Sequence, residues 1–211
     1  MTSAQVEVQK SAEGIGITDT AEGLGGIEEP GCAAMIWRRQ LTPDFHAWID
    51  DLDPTVLPKA RLILHPTAVP EAVQHLCDIA RIGASAERCW LENDISDLAK
   101  RFAGIMQAPY LRVRLDVIDT NACRKFHIDA IHARLICTYR GTGTQYGIAA
   151  RGEEPKRVFT VATGAPMIMR GTLWPEAPAA SMLHRSPPIS GTGETRLVLV
   201  LDPIFELDEA E

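Results

Sequence analysis

The sequence predicts a mainly β protein with an N-terminal helical layer, built as a two-sheet sandwich or barrel with helices against one sheet's outer face. Three observations carry this. Between residues 42 and 108 the apolar residues recur at helical spacing, and after Pro109 they alternate with polar ones at period two. About eight short strand-like runs then follow within ~95 residues, separated by turns rich in Gly, Pro and Thr. With 211 residues, of which 45% are hydrophobic and 23% charged, the chain can bury a sizeable core.

Each element has a local reason. Residues 1–34 hold six acids, one base (Lys10), six glycines and no aromatic residue, and are expected to form a flexible acidic tail. Thr42 can cap a helix whose first turn admits Pro43 and whose apolar face is Phe45, Trp48, Ile49 and Leu52, ending before Pro54. A second helix is expected over 70–82, with Val73, Leu76, Cys77 and Ala80 on one face and Gly83 as its stop. A third runs from an Asn93 cap through Ile95, Leu98, Phe102 and Ile105. Strands are expected over 110–119, 125–131, 133–140, 144–149, 157–161, 166–170, 181–186 and 195–202. The reading divides the chain into the 1–34 tail, a single domain over 35–205 (helical layer 35–108, β core 109–205) and an acidic C-terminal tail, 206–211.

Composition narrows the function. A formal net charge of −7 repels a phosphate backbone and argues against nucleic acid as a partner. The longest aliphatic run, Leu197 to Leu201, is far short of the roughly 20 residues of a membrane helix. The N-terminus lacks the basic and apolar segments of a secretory signal, so the expected location is cytoplasmic. Five cysteines with no C-x-x-C pair read as reduced thiols rather than a disulfide or zinc framework.

The chemistry-bearing residues are His127 and Asp129 in Lys125-Phe-His-Ile-Asp129, His184, and Arg196. On a strand, positions two apart share a face, so His127 and Asp129 can present an imidazole and a carboxylate side by side. His184 from another strand would complete a metal site with two His and one carboxylate, leaving the open positions that Fe(II) oxygen chemistry needs. A hairpin centred on residue 190 would set His184 and Arg196 opposite each other, and the Arg196 guanidinium could then hold the far carboxylate of a dicarboxylate co-substrate such as 2-oxoglutarate. His132 and Arg134 lie near enough to enter the same pocket, and Arg134 is the alternative anchor. His75 and Cys77 diverge on a helix, Cys123 reads as a structural thiol, and Ser186 as a strand residue.

The stretches Phe126-His-Ile-Asp129, residues 134–144, His184-Arg-Ser-Pro-Pro188 and Arg196-Leu-Val-Leu-Val-Leu-Asp202 resemble a bacterial family known as domain of unknown function 1826, over about residues 35 to 205. The spacing is also similar to that of the Fe(II)/2-oxoglutarate-dependent oxygenases. That resemblance implies a double-stranded β-helix (a jelly-roll or cupin-like core), with His127, Asp129 and His184 on iron, Arg196 on 2-oxoglutarate, and Tyr139 or Tyr146 adding a hydroxyl to the co-substrate. Members of the family are often encoded beside zinc-homeostasis genes, which implies a metal-chaperone GTPase as a partner. It leaves open an alternative in which the same ligands hold Zn(II) in a non-catalytic binding protein.

Overall fold

The computed structural model describes residues 9–10, 14–149, 153–175 and 182–207. In chain order its strands are β1 (Gln9–Lys10), β2 (Ile15–Thr18), β3 (Ala34–Trp37), β4 (Ala60–Leu64), β5 (Tyr110–Ile118), β6 (Ala133–Arg140), β7 (Gln145–Ile148), β8 (Phe159–Thr160), β9 (Met167–Arg170), β10 (Met182–Arg185) and β11 (Arg196–Ile204). The helices are α1 (Pro43–Asp51), α2 (Val69–Ile79) and α3 (Ala86–Met106). Among the described residues, eight strands pair in the order β1-β2-β3-β9-β6-β11-β5-β4 and three in the order β10-β7-β8. The fold is therefore mixed α and β, dominated by one large sheet. No helix among the described residues is long and apolar enough to cross a membrane.

Period-two alternation assigns the two faces of the large sheet. Leu111, Val113 and Leu115 of β5, Leu135, Cys137 and Tyr139 of β6, and Leu197, Leu199 and Leu201 of β11 meet Phe45, Ile49, Leu91, Ile95 and Phe102 of α1 and α3. The opposite parity (Ile136, Val198 and Val200, with Met167 and Met169 of β9) meets Met182 of β10 and Val161. β11 is buried at all nine positions because it lies between β5 and β6 with both faces covered. The same opposite parity carries Arg114, Arg134, Arg196 and Asp202, which places those charges between the sheets.

Helix α1 matches its expected cap, with the Thr42 hydroxyl accepting from the Phe45 N–H and Pro43 in the first turn. The other two helices differ at their ends. α2 stops at Ile79, and Arg81, with φ of 58°, takes the left-handed position expected of Gly83. α3 begins two turns before Asn93, capped by Ser85 through the Arg88 N–H, so Asn93 is an interior residue whose amide reaches the Cys89 Sγ. β6 spans the expected residues, whereas the run expected over 125–131 contributes a single bridge, His127 to His184. Residue 181, at the edge of the strand expected over 181–186, lies outside the described residues.

The largest correction concerns residues 1–34. Residues 14–34 are packed: β2 pairs in parallel with β3, and the 3-10 turn Glu22–Glu28 buries Leu24 and Ile27 completely. Leu24 and Ile27 lie three apart, which aligns them on one face of a 3-10 turn. Gly23 lets that turn approach closely, since a Cβ there would fall 1.9 Å from the Thr18 hydroxyl oxygen. Arg170 fastens the turn to β9 by donating to the Ile27 and Glu29 carbonyls. Residues 1–8 and 11–13 of the expected tail, and 208–211 of the C-terminal one, are outside the described residues. The division into a helical layer and a β core also fails, because β3 and β4 from the first half join the large sheet.

A largely buried ion pair joins the helices to this sheet, with the two side chains 12% and 10% exposed. Asp94 of α3 accepts two hydrogen bonds from Arg39, at 2.5 and 2.6 Å, and a third from the Tyr139 hydroxyl at 2.6 Å. Arg39 also donates to the Gly164 carbonyl. Removing one member of such a pair leaves a buried charge uncompensated, so Asp94→Ala is expected to cost about 3–5 kcal/mol in urea unfolding. A loss below about 1 kcal/mol would place the pair among ordinary surface ion pairs.

Candidate metal centre and its cavity

His127 lies in the irregular stretch between β5 and β6, and His184 on β10. They form one antiparallel bridge, His127 N–H to His184 carbonyl at 3.1 Å and the reverse bond at 3.0 Å, which brings the ring centroids to 4.5 Å. Asp129 turns back between them, with Oδ1 3.5 Å from His127 Nε2 and Oδ2 3.1 Å from His184 Nε2. One donor atom from each of the three residues lies within 4.8 Å of the others. The expectation that these residues converge is met, although a bridge and a turn position them rather than a full strand.

The tautomer follows from the surroundings. His127 Nδ1 is 2.8 Å from the Lys125 carbonyl, which can only accept, so Nδ1 carries the proton and Nε2 can present its lone pair. The hydrogen bond to Asp129 raises the His127 pKa, while burial pushes that of His184 down. Burial pushes the Asp129 carboxyl up, but the two imidazoles and the Arg134 guanidinium outweigh it and hold it well below the usual carboxylate range. Two imidazoles and one ionised carboxylate facing a common point fit a divalent transition metal.

Arg134 is not free to anchor a co-substrate. It donates through Nη1 to Asp129 Oδ2 at 2.5 Å and through Nε and Nη2 to the buried Asp202, at 2.6 and 2.9 Å. Its role here is to orient the Asp129 carboxylate from behind. Tyr139 lies on the helix side of the sheet, wholly buried and bonded to Asp94, so the co-substrate contact expected of it is excluded. The reason is parity: Tyr139 shares a face with Leu135 and Cys137, opposite to Arg134. Tyr146 pairs with His184 in register but stacks on Phe159 and does not line the cavity.

The hairpin expected between His184 and Arg196 does not form. β10 pairs with β7 in the small sheet and β11 with β5 and β6 in the large one, so the intervening loop crosses from one sheet to the other. Both residues nevertheless line a single cavity of about 310 Å³. Arg196 is 1% exposed, donates from Nε to the Thr142 carbonyl at 2.6 Å, and has the Thr138 hydroxyl 3.4 Å from Nη2. The neighbouring Glu194 carboxylate is taken by the Thr142 N–H and hydroxyl instead. Burial pushes the Arg196 pKa down to about 10, with Glu194 pulling weakly the other way. Gly143 shapes this corner, because a Cβ there would fall 1.9 Å from the Val161 carbonyl oxygen.

Other candidates fall elsewhere. His132 packs edge-on against Phe205, away from the cavity. His75 lines a separate surface groove, and Cys77 is buried in the core. Cys123 is exposed and lines the cavity, as does Ser186, whose N–H donates to the Cys123 carbonyl. Sequence reasoning missed Arg114 and Asp116, which also line it. The alternation of β5 marked them as polar-face residues without revealing that this face meets the small sheet.

Among solved structures the chain is similar to a dioxygenase for auxin oxidation from rice, at 13% identity over 87% of this chain and 78% of that one, with a TM-score of 0.49. It is also similar to dioxygenase for auxin oxidation 1 from Arabidopsis thaliana in its binary complex with 2-oxoglutarate (14% identity, 83% and 84% covered, TM-score 0.48). A third is a Pseudomonas putida prolyl-4-hydroxylase (11% identity, 80% and 98% covered, TM-score 0.37). Likeness this distant assigns neither activity nor ligand. No curated protein matches the sequence. The match that identifies the chain is to a family model described as "Protein of unknown function (DUF1826)", spanning residues 18–202, and the chain belongs to that family.

Proposed function

We propose that the chain is a mononuclear Fe(II)/2-oxoglutarate-dependent oxygenase whose ligands are His127, Asp129 and His184. The observation that carries this reading is one cavity holding a convergent His/Asp/His trio and, on β11, a buried arginine with no carboxylate within ion-pair distance among the described residues. The chain alternates between the sheets: β5 large, His127 small, β6 large, β7 and β8 small, β9 large, β10 small, β11 large. We read that alternation as a double-stranded β-helix.

With iron bound, the group would supply the oxidation, in which dioxygen and 2-oxoglutarate give succinate, carbon dioxide and one oxygen atom for the substrate. The protein's part is positional. Lys125 fixes the His127 tautomer and Arg134 fixes the Asp129 carboxylate. The Thr142 carbonyl holds Arg196 by Nε and the Thr138 hydroxyl lies 3.4 Å from Nη2, which leaves N–H groups on both terminal nitrogens to donate to a carboxylate in a forked pair. Ile136, Val198 and Val200 add apolar surface to the cavity wall, and a contact made against apolar surface is screened less by water.

The test is Arg196. Arg196→Ala should keep the metal yet weaken 2-oxoglutarate binding under nitrogen by about tenfold to a hundredfold, the worth of a charge-assisted hydrogen bond of about 1.5–3 kcal/mol. Arg196→Lys should recover part of the affinity, since an ammonium keeps the charge but loses the fork. A wild-type protein that binds no 2-oxoglutarate, or an alanine variant that binds it equally well, would overturn the co-substrate role.

A further inference from the structure

Four arginines line the cavity: Arg114, Arg134, Arg185 and Arg196. Two have their charge or donors engaged. Arg134 is held by Asp129 and Asp202, and Arg185 donates to the Gln145 side chain and lies over the Phe126 ring. Arg196 is the residue read above as the co-substrate anchor. Arg114 remains: its buried Nε has no hydrogen-bond partner, and its terminal nitrogens stand 3.8 Å from Asp116 and from Asp202, beyond hydrogen-bond reach. A buried N–H without an acceptor is destabilising, and a ligand supplying an oxygen would relieve it.

The register separates the two arginines. Arg114 lies opposite Val200 and Arg196 opposite Ile118, so they are four residues apart along β11, roughly 13 Å at about 3.3 Å per residue. Arg196 lies six residues along β11 from Asp202, the carboxylate that holds Arg134. Arg114 instead stands on the metal side of the cavity, beside the Asp202 that anchors Arg134 behind Asp129. An anion held there would bring the carbon next to it towards the face of the His127, Asp129 and His184 trio.

We infer that Arg114 is the recognition residue for a second ligand, and that the substrate of this site is a small organic acid whose carboxylate pairs with the Arg114 guanidinium. The inference rests on the oxygenase reading for calling that acid the substrate; the anion site itself stands on the place of Arg114 in the cavity wall and on its buried Nε, which has no hydrogen-bond partner among the described residues. Asp116 and Asp202, each 3.8 Å from a terminal nitrogen of Arg114, disfavour a ligand with several negative charges packed on the same side.

The experiment is calorimetric titration of the full chain, loaded with Mn(II) and saturated with 2-oxoglutarate, using paired probes: acetate against acetamide, benzoate against benzamide, phenylacetate against phenylacetamide. The amide of each pair matches its acid in shape but lacks the charge. At least one acid is expected to bind about tenfold tighter than its amide, and Arg114→Gln to remove that preference, while metal content and 2-oxoglutarate affinity change less than about twofold. Arg114→Lys should retain part of the preference, which separates a lost charge from a disturbed fold. Acids that bind no better than their amides, or an acid preference that survives in Arg114→Gln, would overturn the inference. Titrating 2-oxoglutarate alone and the acid series alone into the Mn(II)-loaded protein distinguishes the two claims: an Arg114-dependent acid preference in metal-loaded protein that binds no 2-oxoglutarate would refute the oxygenase reading and leave the anion site standing.

Discussion

Asp129→Ala, His127→Ala and His184→Ala are each expected to lose bound metal while remaining folded. Removing a residue that merely orients a ligand typically weakens metal binding 10–100-fold, so removing a ligand itself should cost on the order of a hundredfold or more in affinity. Asp129 should show the largest effect. It is the only carboxylate of the trio, and it is held ionised by both imidazoles and by Arg134. Asp129→Asn is the sharper variant: it keeps the shape between His127 and His184 but removes the charge that balances a divalent cation. Elemental analysis of protein purified in parallel with wild type reads the outcome, and circular dichroism confirms that each variant is folded. Metal retained at the wild-type level in any two of the alanine variants would remove the centre from these residues.

Deleting residues 1–30 is expected to prevent stable folding. The deletion takes out β2, the partner of β3, together with Leu24 and Ile27, both wholly buried in the helix-side core. Truncating a single buried Leu or Ile to Ala costs about 2–5 kcal/mol. Losing both side chains, and the acceptors that Arg170 uses, approaches the whole stability of a typical domain, about 5–15 kcal/mol. Leu24→Ala and Ile27→Ala provide a graded version, each lowering the urea midpoint by an amount in the single-residue range. A truncated protein that melts at the wild-type temperature would show that this segment is not docked.

The N-terminal segment was misread because its composition and its packing speak differently. Six acids and six glycines in 34 residues resemble a solvated tail. Yet two of those glycines allow close approach, Gly23 against Thr18 and Gly26 against Met35, and the apolar residues that directly follow them, Leu24 and Ile27, are spaced for one face of a 3-10 turn. In β6 the period-two pattern gave the bounds correctly, and the same pattern, followed one step further, separates Tyr139 from Arg134 by parity. The fold's β character and the meeting of His127, Asp129 and His184 were legible because H-x-D followed by a distant His is local chemistry. Which sheet β10 joins was not legible, since chain midpoints suggest hairpins and contain nothing about crossovers. Arg114 stayed hidden for a related reason: alternation along β5 defines two faces, and only the packed small sheet decides that one of them is a cavity.

The central claim is that the His/Asp/His trio and Arg196 form one metal-dependent co-substrate site. Its most direct test is anaerobic calorimetric titration of 2-oxoglutarate into metal-free and Fe(II)-loaded samples of the same preparation, with iron quantified in each. The account predicts a single 2-oxoglutarate bound per iron, at an affinity that falls by at least about tenfold when the metal is left out. Fe(II)-loaded protein that takes up no 2-oxoglutarate, or metal-free protein that binds it as tightly, would contradict it.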